Sequence, residues 1–347
     1  MKLTSVPENL LERMALWLNI APTPVSDTML GFMLARTVMV AVKLGIFEAL
    51  AEHPQTTEQV STQCSTDTKA TQILLNTLVQ LGYVQLKKNQ YSLTSLARKW
   101  LLKDSKISLR DKMLFQFLEW EFVEHYEDYL RTGEPINYHH HMDAEQWETY
   151  QQGMRSMAEI SAWEIGKRTP VPNQATRMLD IGGAHGFYSV ELCQRYPKLQ
   201  STILELPDAI EHAQPILAEK NLNGRVNYQA GNALTDDLGE EQWDLVFMSS
   251  LAHHFDENAN TELAKRVAQS LRPGGYYIVQ DLIRTDQPKT GDHLGGLLNM
   301  YFAATSEAGT YSEQEIHQWQ QQAGLKPQRS VWLRSIPRHA QIVAKKV

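Results

Sequence analysis

The segment MLDIGGAHGFYSVELCQRYPKLQSTILELPDAIEHA, residues 178–213, contains an apolar strand, a glycine-rich turn and a second strand that ends in an acid. Asp180 lies at the end of the first strand, and three glycines follow it: Gly182, Gly183 and Gly186. Glycines at a strand-to-helix turn let the main chain approach a ligand without a Cβ clash. Glu205 ends the next strand, where a carboxylate can accept hydrogen bonds from ribose hydroxyls. The segment therefore predicts a nucleoside site.

The spacing of the glycines argues against two common phosphate sites. A dinucleotide site has the pattern G-x-G-x-x-G, whereas the chain reads G-G-x-x-G from Gly182. A P-loop ends in Gly-Lys-Ser/Thr, whereas Phe187 follows Gly186. Asp180 would repel a pyrophosphate but suits a ligand that carries an amino group. A nucleoside with a cationic, non-phosphate tail fits these residues, and S-adenosylmethionine is such a ligand.

The C-terminal half of the chain alternates strands with helices. The predicted strands are 177–181, 201–206, 226–231, 243–250 and 274–283, followed by a final pair at 332–336 and 340–346. Repeated β-α-β units with short connections predict a mostly parallel, Rossmann-like α/β sheet covered on both faces. Ligands of such sheets bind outside the carboxyl ends of the strands.

The first third of the chain predicts a winged helix. Thr56 or Thr57 begins one helix, Asp67 or Thr68 begins the next, and alternating strands over 83–94 form a hairpin. Before them, the apolar segment 29–50 contains Arg36, Lys43 and Glu48, so it predicts a packed helix and not a membrane span. Such an apolar helix would suit a two-fold partner.

Composition and charge favour a soluble, cytoplasmic protein that does not bind nucleic acid. The net charge is −7, and Lys69 is the only cation of the would-be recognition helix at 66–81, where a DNA reader needs several. The two cysteines, Cys64 and Cys193, suit a reducing compartment. The N-terminus has no continuous apolar region of the kind found in secretory signals.

Residues 107–167 are predicted to be helical and rich in aromatic side chains, with a break at Gly133-Glu134-Pro135. Most of the aromatics should fill a core, while some, with Met154 and Met157, should line a pocket for a flat apolar substrate. The run His139–His141 is predicted to be a solvated loop, because adjacent histidines rarely converge on one ion, and no metal site is expected.

Taken together, the segments AVKLGIFEAL, LDIGGAHG, YPKLQSTILELPDAIEHA, QAGNAL, LAHHF, LRPGG and YSEQEIHQWQQQAGL resemble, in order and spacing, the class I S-adenosylmethionine-dependent small-molecule O-methyltransferases. The chain is similar to the bacterial relatives of the caffeic acid and hydroxyindole O-methyltransferases. The resemblance implies a homodimer. It also implies a winged-helix dimerisation domain (1–104), a helical linker that contributes to the substrate pocket (105–170) and a Rossmann-like catalytic domain (171–347).

The resemblance also implies a set of cofactor-binding residues. Gly182 and Gly183 would surround the methionine part of the cofactor, with Asp180 nearby, and Glu205 would bind the ribose. The full set is Asp180, Gly182, Gly183, Glu205, Leu206, Asn232, Ala233, Met248 and Ser249. For Met248, packing in the hydrophobic core is as strongly favoured as contact with the cofactor.

In the family that the chain resembles, a histidine in this region deprotonates the substrate hydroxyl, and His253 stands at that position. A histidine has a suitable intrinsic pKa for such a base. The assisting Glu is expected near Gly309–Ser312, which contains no acid. A general-base mechanism and a mechanism by proximity alone therefore both stay open.

The predicted acceptor is a hydroxyl of an aromatic or polyketide-like metabolite. The alternatives are N- or C-methylation, a cofactor-assisted reaction without methylation and, less favoured, a winged-helix regulator that binds DNA. The predicted substrate-pocket residues are Trp120, Met154, Met157, His254, Asn299, Met300 and Phe302, with Tyr301 in place of Phe302 in another helix phase.

Overall fold

The structure is a computed structural model that describes residues 5–220, 222 and 224–347, except the side chain of His140. The chain forms two compact units, Met1–Phe117 and Leu118–Val347. Residues 1–4 of the predicted first domain lie outside the described residues. The finer division at 104/105 and 170/171 stays a prediction.

The first unit contains the predicted helix–turn–helix and hairpin. Its helices are α1 (Leu10–Trp17), α2 (Thr23–Val25), a π-helical turn (Ser26–Leu30), α3 (Gly31–Lys43), α4 (Ile46–Ala49), α5 (Thr57–Gln63), α6 (Thr68–Gln80) and α7 (Ser95–Trp100), and its strands are β1 (Val84–Lys87) and β2 (Gln90–Leu93). Thr56 caps α5 and Asp67 caps α6, each accepting a first-turn backbone N–H group. The two predicted cap sites are therefore confirmed.

The prediction of one packed helix over 29–50 is wrong in two respects. The helix ends at Lys43, because Gly45 has a φ of +73° and begins the separate helix α4. In addition, α3 buries residues only from Val38 onward within the chain, and Phe32 is 53% exposed. The run Thr23–Lys43 is long and apolar enough to cross a membrane by length and composition, and 22% of its most apolar window is buried.

Three helices carry the predicted linker: α8 (Arg110–Glu124), α9 (Tyr126–Thr132) and α10 (Ala144–Arg168). Gly133 has a φ of +77° and ends α9, as the predicted break required. An additional break at His125 separates α8 from α9, so three helices replace the two predicted blocks. A 3-10 turn at Tyr138–His140 precedes α10.

The second unit is built on the predicted mostly parallel sheet. Its strands are β3 (Arg177–Ile181), β4 (Gln200–Glu205), β5 (Val226–Ala230), β6 (Trp243–Ser249), β7 (Leu271–Leu282), β8 (Lys326–Pro327), β9 (Val331–Trp332) and β10 (His339–Lys345). The order is β5-β4-β3-β6-β7-β10-β8, with β9 paired to β10. Strands β3 to β7 run parallel, and β10 is antiparallel to β7. Strand β7 begins three residues before its predicted start, and the two-residue β8 was not predicted.

Five further helices connect these strands or flank the sheet: α11 (Phe187–Arg195), α12 (Pro207–Ala218), α13 (Glu257–Ser270), α14 (His293–Thr305) and α15 (Glu313–Gln322). Alternate residues of the central strands belong to different cores. In β3, Leu179 packs in one cluster and Met178 in another, and Val246 and Phe247 of β6 divide in the same way. Burial on both faces is the reason that these strands are almost continuously apolar.

A buried carboxylate near the end of α10 fixes the segment after β9. Glu164 is 5% exposed and accepts hydrogen bonds from the backbone N–H groups of Arg334 and Ser335 and from the guanidinium of Arg168, at 2.6–2.9 Å. Burial alone would raise the pKa of Glu164, but these hydrogen bonds outweigh burial and lower it to about 2.

Replacement of this carboxylate should destabilise the second unit. A fall in the pKa from 4.5 to about 2 corresponds to roughly 3 kcal/mol. Because the folded pKa is depressed, this contribution is present above pH 4.5 and is lost as the pH falls toward 2. Glu164→Gln should therefore lower the free energy of unfolding in urea at pH 7. Glu127→Gln, which removes an exposed partner of Arg131, is the control and should change it by about 0.5 kcal/mol or less. Equal unfolding curves for Glu164→Gln and the wild type would contradict this account.

Candidate active site

The glycine turn after β3 is shaped by close approach. Gly182 has a φ of +66°, and its N–H donates to the carbonyl oxygen of Leu204 at 2.9 Å. A Cβ at Gly183 would lie 2.6 Å from Oδ2 of Asp180 and 2.9 Å from the side chain of Ile203. Any larger residue at 183 would therefore displace the carboxyl group or the turn.

Asp180 lies beneath this turn and is 1% exposed. Its Oδ2 accepts a hydrogen bond from Ser189 Oγ at 2.6 Å, while its buried Oδ1 has no partner among the described residues. Burial raises the pKa of Asp180 to about 7; the bond from Ser189 opposes this shift, and the nearby Glu205 adds to it. A buried oxygen without a partner is costly unless a donor reaches it. An ammonium group of a ligand would be such a donor.

Glu205 connects the end of β4 to the glycine turn. Its Oε2 accepts the N–H of Ala184 at 3.1 Å, and its Oε1 accepts the N–H of Leu206 at 2.8 Å. Burial is the main cause of its raised pKa. Leu206 is 43% exposed and stands immediately before α12. The predicted ribose-binding carboxylate thus lies at the carboxyl end of the strand next to β3.

Asn232 and Ala233 follow β5 at the same end of the sheet. The N–H of Asn232 donates to Asp236 Oδ2 at 3.0 Å, and its side-chain oxygen accepts the N–H of Leu234 at 2.9 Å. The carbonyl of Ala233 accepts from Arg266 at 2.6 Å. These bonds form a fixed, partly exposed loop where the resemblance places the adenine.

Met248 and Ser249 end β6. Met248 is fully buried and lies in the hydrophobic core, with the Tyr277 hydroxyl 3.8 Å from its sulfur. Its side chain thus has the core position that was the alternative to a cofactor contact. Ser249 is half-buried, and its hydroxyl accepts from Gln280 Nε2 at 2.9 Å.

His253 forms a buried pair with Asp281, a residue that the sequence analysis did not select. His253 Nδ1 lies 3.0 and 3.2 Å from the two carboxylate oxygens of Asp281, and the residues are 3% and 4% exposed. An ionised carboxylate can only accept, so Nδ1 carries the proton and Nε2 is left as an acceptor. The arrangement is one that a general base with an orienting acid would need.

The topology of the sheet explains why Asp281 meets His253. It lies near the carboxyl end of β7, the parallel neighbour of β6, and His253 follows β6 by four residues. Side chains at the ends of neighbouring parallel strands meet at one edge of the sheet. The acid that assists His253 was expected at Gly309–Ser312, which is a different segment of the chain.

Aromatic rings surround this pair. Phe302 stacks on His253 with ring centroids 3.9 Å apart, and His254 lies 4.3 Å from His253. The rings of Tyr138, His139, Trp147 and Tyr150 continue the cluster from His254, and neighbouring centroids lie 4.1 to 6.3 Å apart. We call these eight residues (Tyr138, His139, Trp147, Tyr150, His253, His254, Phe302 and Asp281) the acceptor cluster.

The prediction of a solvated loop at 139–141 is wrong for His139, whose ring packs among the aromatic rings of the acceptor cluster. His141 is exposed as predicted, and the side chain of His140 lies outside the described residues. Local sequence could not show that α10 and the segment after β6 bring rings to His139. Across the described residues, no group of three or more His, Cys, Asp or Glu side chains is arranged to hold a metal ion.

His254 is held as a neutral ring. Burial, followed by the neighbouring His253 and His139, lowers the pKa of His254 well below its usual value. Its Nδ1 lies 2.8 Å from the hydroxyl of Ser306. The uncharged ring of His254 can thus form a hydrogen bond with a bound substrate without adding a positive charge to the acceptor cluster.

Tyr150 relates the acceptor cluster to the cofactor residues. Burial, followed by the charge of Glu205, raises the pKa of Tyr150. The ionised Glu205 thus acts electrostatically on a ring of the acceptor cluster. The glycine turn also adjoins the segment that carries His253, because a Cβ at Gly182 would lie 2.8 Å from the side chain of Leu251, two residues before His253.

The other predicted pocket residues lie on α8, α10 and α14. Trp120 and Met154 are half-buried, and Met157 is 36% exposed. Met300 is half-buried on α14. Asn299 uses its side-chain oxygen to accept from the N–H and hydroxyl of Thr310, at 2.9 and 2.7 Å. The structure joins His254 and Phe302 to His253 directly, whereas the roles of the remaining five stay predictions.

Two known protein-domain families match this chain. The sequence profile of the O-methyltransferase domain matches residues 116–326, more than half of the chain, and that of the O-methyltransferase dimerisation domain matches residues 26–103. The chain belongs to the O-methyltransferase family. The predicted class, an S-adenosylmethionine-dependent O-methyltransferase with an N-terminal dimerisation domain, is confirmed.

Individual relatives are more distant. The 3-hydroxy-5-methyl-1-naphthoate 3-O-methyltransferase of Streptomyces sahachiroi is 23% identical over 322 residues, which cover 89% of this chain and 91% of the relative. The L-tyrosine C(3)-methyltransferase of Streptomyces lavendulae is 24% identical, covering 83% of this chain and 82% of the relative. The fold matches the structure of human N-acetylserotonin methyltransferase in complex with SAM, with a TM-score of 0.83, 19% identity and 99% of both chains covered.

The raised pKa of Asp180 predicts that cofactor binding depends on pH. Below a pKa of about 7 the carboxyl group is protonated, and a cationic amino group must displace that proton to bind it. The affinity for S-adenosylhomocysteine should therefore rise about tenfold per pH unit between pH 5.5 and 6.5 and level off near 7.5. Calorimetry in buffers of different ionisation enthalpy would measure both the affinity and the released proton. Asp180→Asn should bind more weakly and without this pH dependence; a wild-type affinity constant from pH 5.5 to 7.5 would refute the prediction.

Proposed function

We propose that this protein transfers a methyl group from S-adenosylmethionine to a hydroxyl group of a small hydrophobic metabolite with an aromatic or polyketide-like ring system. The observation that carries the proposal is the buried His253–Asp281 pair packed against aromatic rings, on a segment that adjoins the glycine turn through Leu251. The relative that acts on a hydroxynaphthoate supports the choice of a flat, hydroxylated acceptor.

The residues of the turn fit the cofactor. The unpartnered Oδ1 of Asp180 would receive its amino group, Glu205 its ribose hydroxyls, and the main chain at Gly182 and Gly183 would pass beside it without side chains in the way. Leu206, Asn232, Ala233 and the backbone of Met248 and Ser249 would complete the site. S-adenosylmethionine supplies an electrophilic methyl group there and leaves as S-adenosylhomocysteine.

His253 acts as the general base. Its Nε2 would accept the proton of the acceptor hydroxyl, so that the oxygen could take the methyl group that the cofactor would supply as its bond to sulfur breaks, and Asp281 would stabilise the imidazolium that results. Because both residues are buried, their interaction is stronger than it would be in water. The aromatic rings around them hold a flat acceptor and exclude water. Orientation of the two reactants contributes in addition, by about 7–11 kcal/mol at most.

Two substitutions test the base. His253→Gln and Asp281→Asn should each lower kcat about 10²–10³-fold for a phenolic acceptor, with the affinity for S-adenosylhomocysteine unchanged. Asp286→Asn, an exposed acid after the same strand, is the matched control. Near-normal kcat in both variants would leave proximity alone as the mechanism.

Transfer to nitrogen or carbon is the second candidate. The L-tyrosine C(3)-methyltransferase, which transfers to carbon, has about the same percentage of residues identical to this chain as the O-methyltransferase described above. The neutral ring of His254 does not favour transfer to the oxygen of a phenol over transfer to a carbon of the phenol ring. Mass spectrometry of the product with a phenol, an aromatic amine and an activated ring carbon separates these reactions. Methylation of oxygen in preference to the other two is the expected result.

The dimerisation domain is proposed to form a homodimer in a soluble, cytoplasmic protein that binds neither nucleic acid nor membranes. Apolar side chains of the first unit lie exposed on α1, at its C-cap residue Leu18 and on Thr23–Lys43. They are Leu10, Leu11, Met14, Trp17, Leu18, Val25, Met29, Leu30, Phe32, Met33 and Leu34. An apolar surface of this extent marks an interface, and most of its second segment lies within the matched dimerisation domain.

Phe32→Glu should weaken this dimer, because it would bury an unpaired charge at the interface. Light scattering at micromolar concentration should show a dimer for the wild type and a larger monomer fraction for the variant. Leu130→Glu changes a side chain that is 71% exposed on α9 and should leave the dimer intact. A monomeric wild type would refute the homodimer.

A further inference from the structure

Helix α14 forms one wall of the acceptor cluster, and its second half contacts other segments of the unit. Phe302 stacks on His253 at 3.9 Å. Asn299 accepts two hydrogen bonds from Thr310, and the carbonyl of Ala304 accepts the N–H of Ile136 at 3.1 Å. The position of Phe302 over the base therefore depends on where α14 lies.

The first half of α14 has far less support. Its buried residues, Ala304 and Thr305, both lie at the far end, and Leu297 is 65% exposed. Gly295 and Gly296 adjoin each other in the first turn, and each glycine lowers helix stability by about 1 kcal/mol relative to alanine. The helix propensity of these residues and their packing are therefore too weak by themselves to hold the start of α14 in one position.

One ion pair fixes that start. Nε of Arg338 donates to Asp292 Oδ1 at 3.1 Å, and Nη2 donates to Oδ2, so the contact is bidentate. The two side chains are 26% and 21% exposed. In the part of the chain that the structure describes, this is the only ion pair of residues 285–298. A bidentate guanidinium–carboxylate contact sets orientation as well as distance.

Asp292 transmits this restraint to the helix. It is the N-cap of α14, with Oδ1 accepting the N–H of Gly295 at 3.4 Å. A Cβ at residue 295 would lie 2.6 Å from Oδ2, so glycine there leaves room for the carboxylate. The same carboxylate thus binds Arg338 and begins the helix.

Arg338 is itself anchored to the edge that carries the orienting acid. Its carbonyl accepts the N–H of Ile283 at 2.9 Å, two residues after Asp281. It precedes β10, and its φ of +66° places it in the left-handed region. The end of β7 therefore holds Asp281, which orients His253, and also Arg338, which holds the helix that stacks on His253.

We propose that Arg338 is a positioning residue for α14, the helix that forms one wall of the acceptor cluster. Through Asp292 it sets the start of α14 and thereby the place of Phe302 against His253. This inference rests on the proposed function, in which His253 faces the methyl acceptor. Arg338 touches neither reactant, and its effect is on acceptor binding.

The test is Arg338→Gln in the full-length protein saturated with S-adenosylhomocysteine for binding studies, or with S-adenosylmethionine for kinetics. The KM for a phenolic acceptor should rise about tenfold, with kcat changed less than about threefold, as expected for the loss of one oriented charged contact. Amide hydrogen exchange should accelerate across 292–298. The imidazole signals of His253 should shift in NMR spectra, because the ring of Phe302 moves.

Arg272→Gln is the matched control, since Arg272 binds Asp244 through a comparable pair at 3.0 and 3.2 Å at the other end of the sheet. It should leave α14 exchange and the His253 signals unchanged. Asp292→Asn should reproduce the Arg338→Gln effects, and the double variant should add little, because both remove one interaction.

Unchanged exchange at 292–298 and unchanged His253 signals in Arg338→Gln would overturn the proposal. An equal rise in KM in both Arg338→Gln and Arg272→Gln would overturn it also, because the effect would then be general destabilisation. If the wild type methylated no acceptor, the proposed function would fail, while exchange and NMR would still decide whether Arg338 positions α14.

Discussion

The contact between the glycine turn and the carboxyl group of Asp180 is the constraint on which the cofactor side of the structure depends. The main chain at Gly183 passes so near Oδ2 of Asp180 and the side chain of Ile203 that no Cβ fits between them. That approach is possible because β3 and β4 are parallel neighbours, paired residue for residue from Arg177 and Gln200 onward. Glu205 then reaches back from the end of β4 to the N–H of Ala184 and closes the turn.

The other residues of the candidate active site lie at the same edge of the sheet as this turn. His253 follows β6 and Asp281 lies near the end of β7, so the base and its acid come from adjacent strands. Tyr150 comes from α10, more than 50 residues before Glu205, and burial, followed by the charge of that carboxylate, raises the pKa of Tyr150. The residues of the candidate active site therefore meet at one edge of the sheet, although they are distant in sequence. Aromatic rings pack on His253 and His254 at this edge.

Features with a local physical cause were predictable. Thr56, Asp67 and Ser312 cap their helices because a side-chain oxygen three residues before a free N–H can accept it whatever surrounds the helix. The core strands were recognised because burial on both faces leaves a continuous apolar run. The breaks at Gly45 and His125 were missed, since the apolar periodicity of each segment continues across the break.

The sequence by itself determined the α/β sheet and the glycine turn with Asp180 and Glu205, because each follows from a pattern of neighbouring residues, whereas His253 was selected through the resemblance to a known family. Only the tertiary structure decided that Asp281 contacts His253, that the ring of His139 packs among other rings and does not lie in solvent, and that Arg338 contacts Asp292. These contacts join residues 28, 115 and 46 positions apart. The physical reason is that a partner across the sheet edge is selected by distance in space, which no local pattern of side chains records.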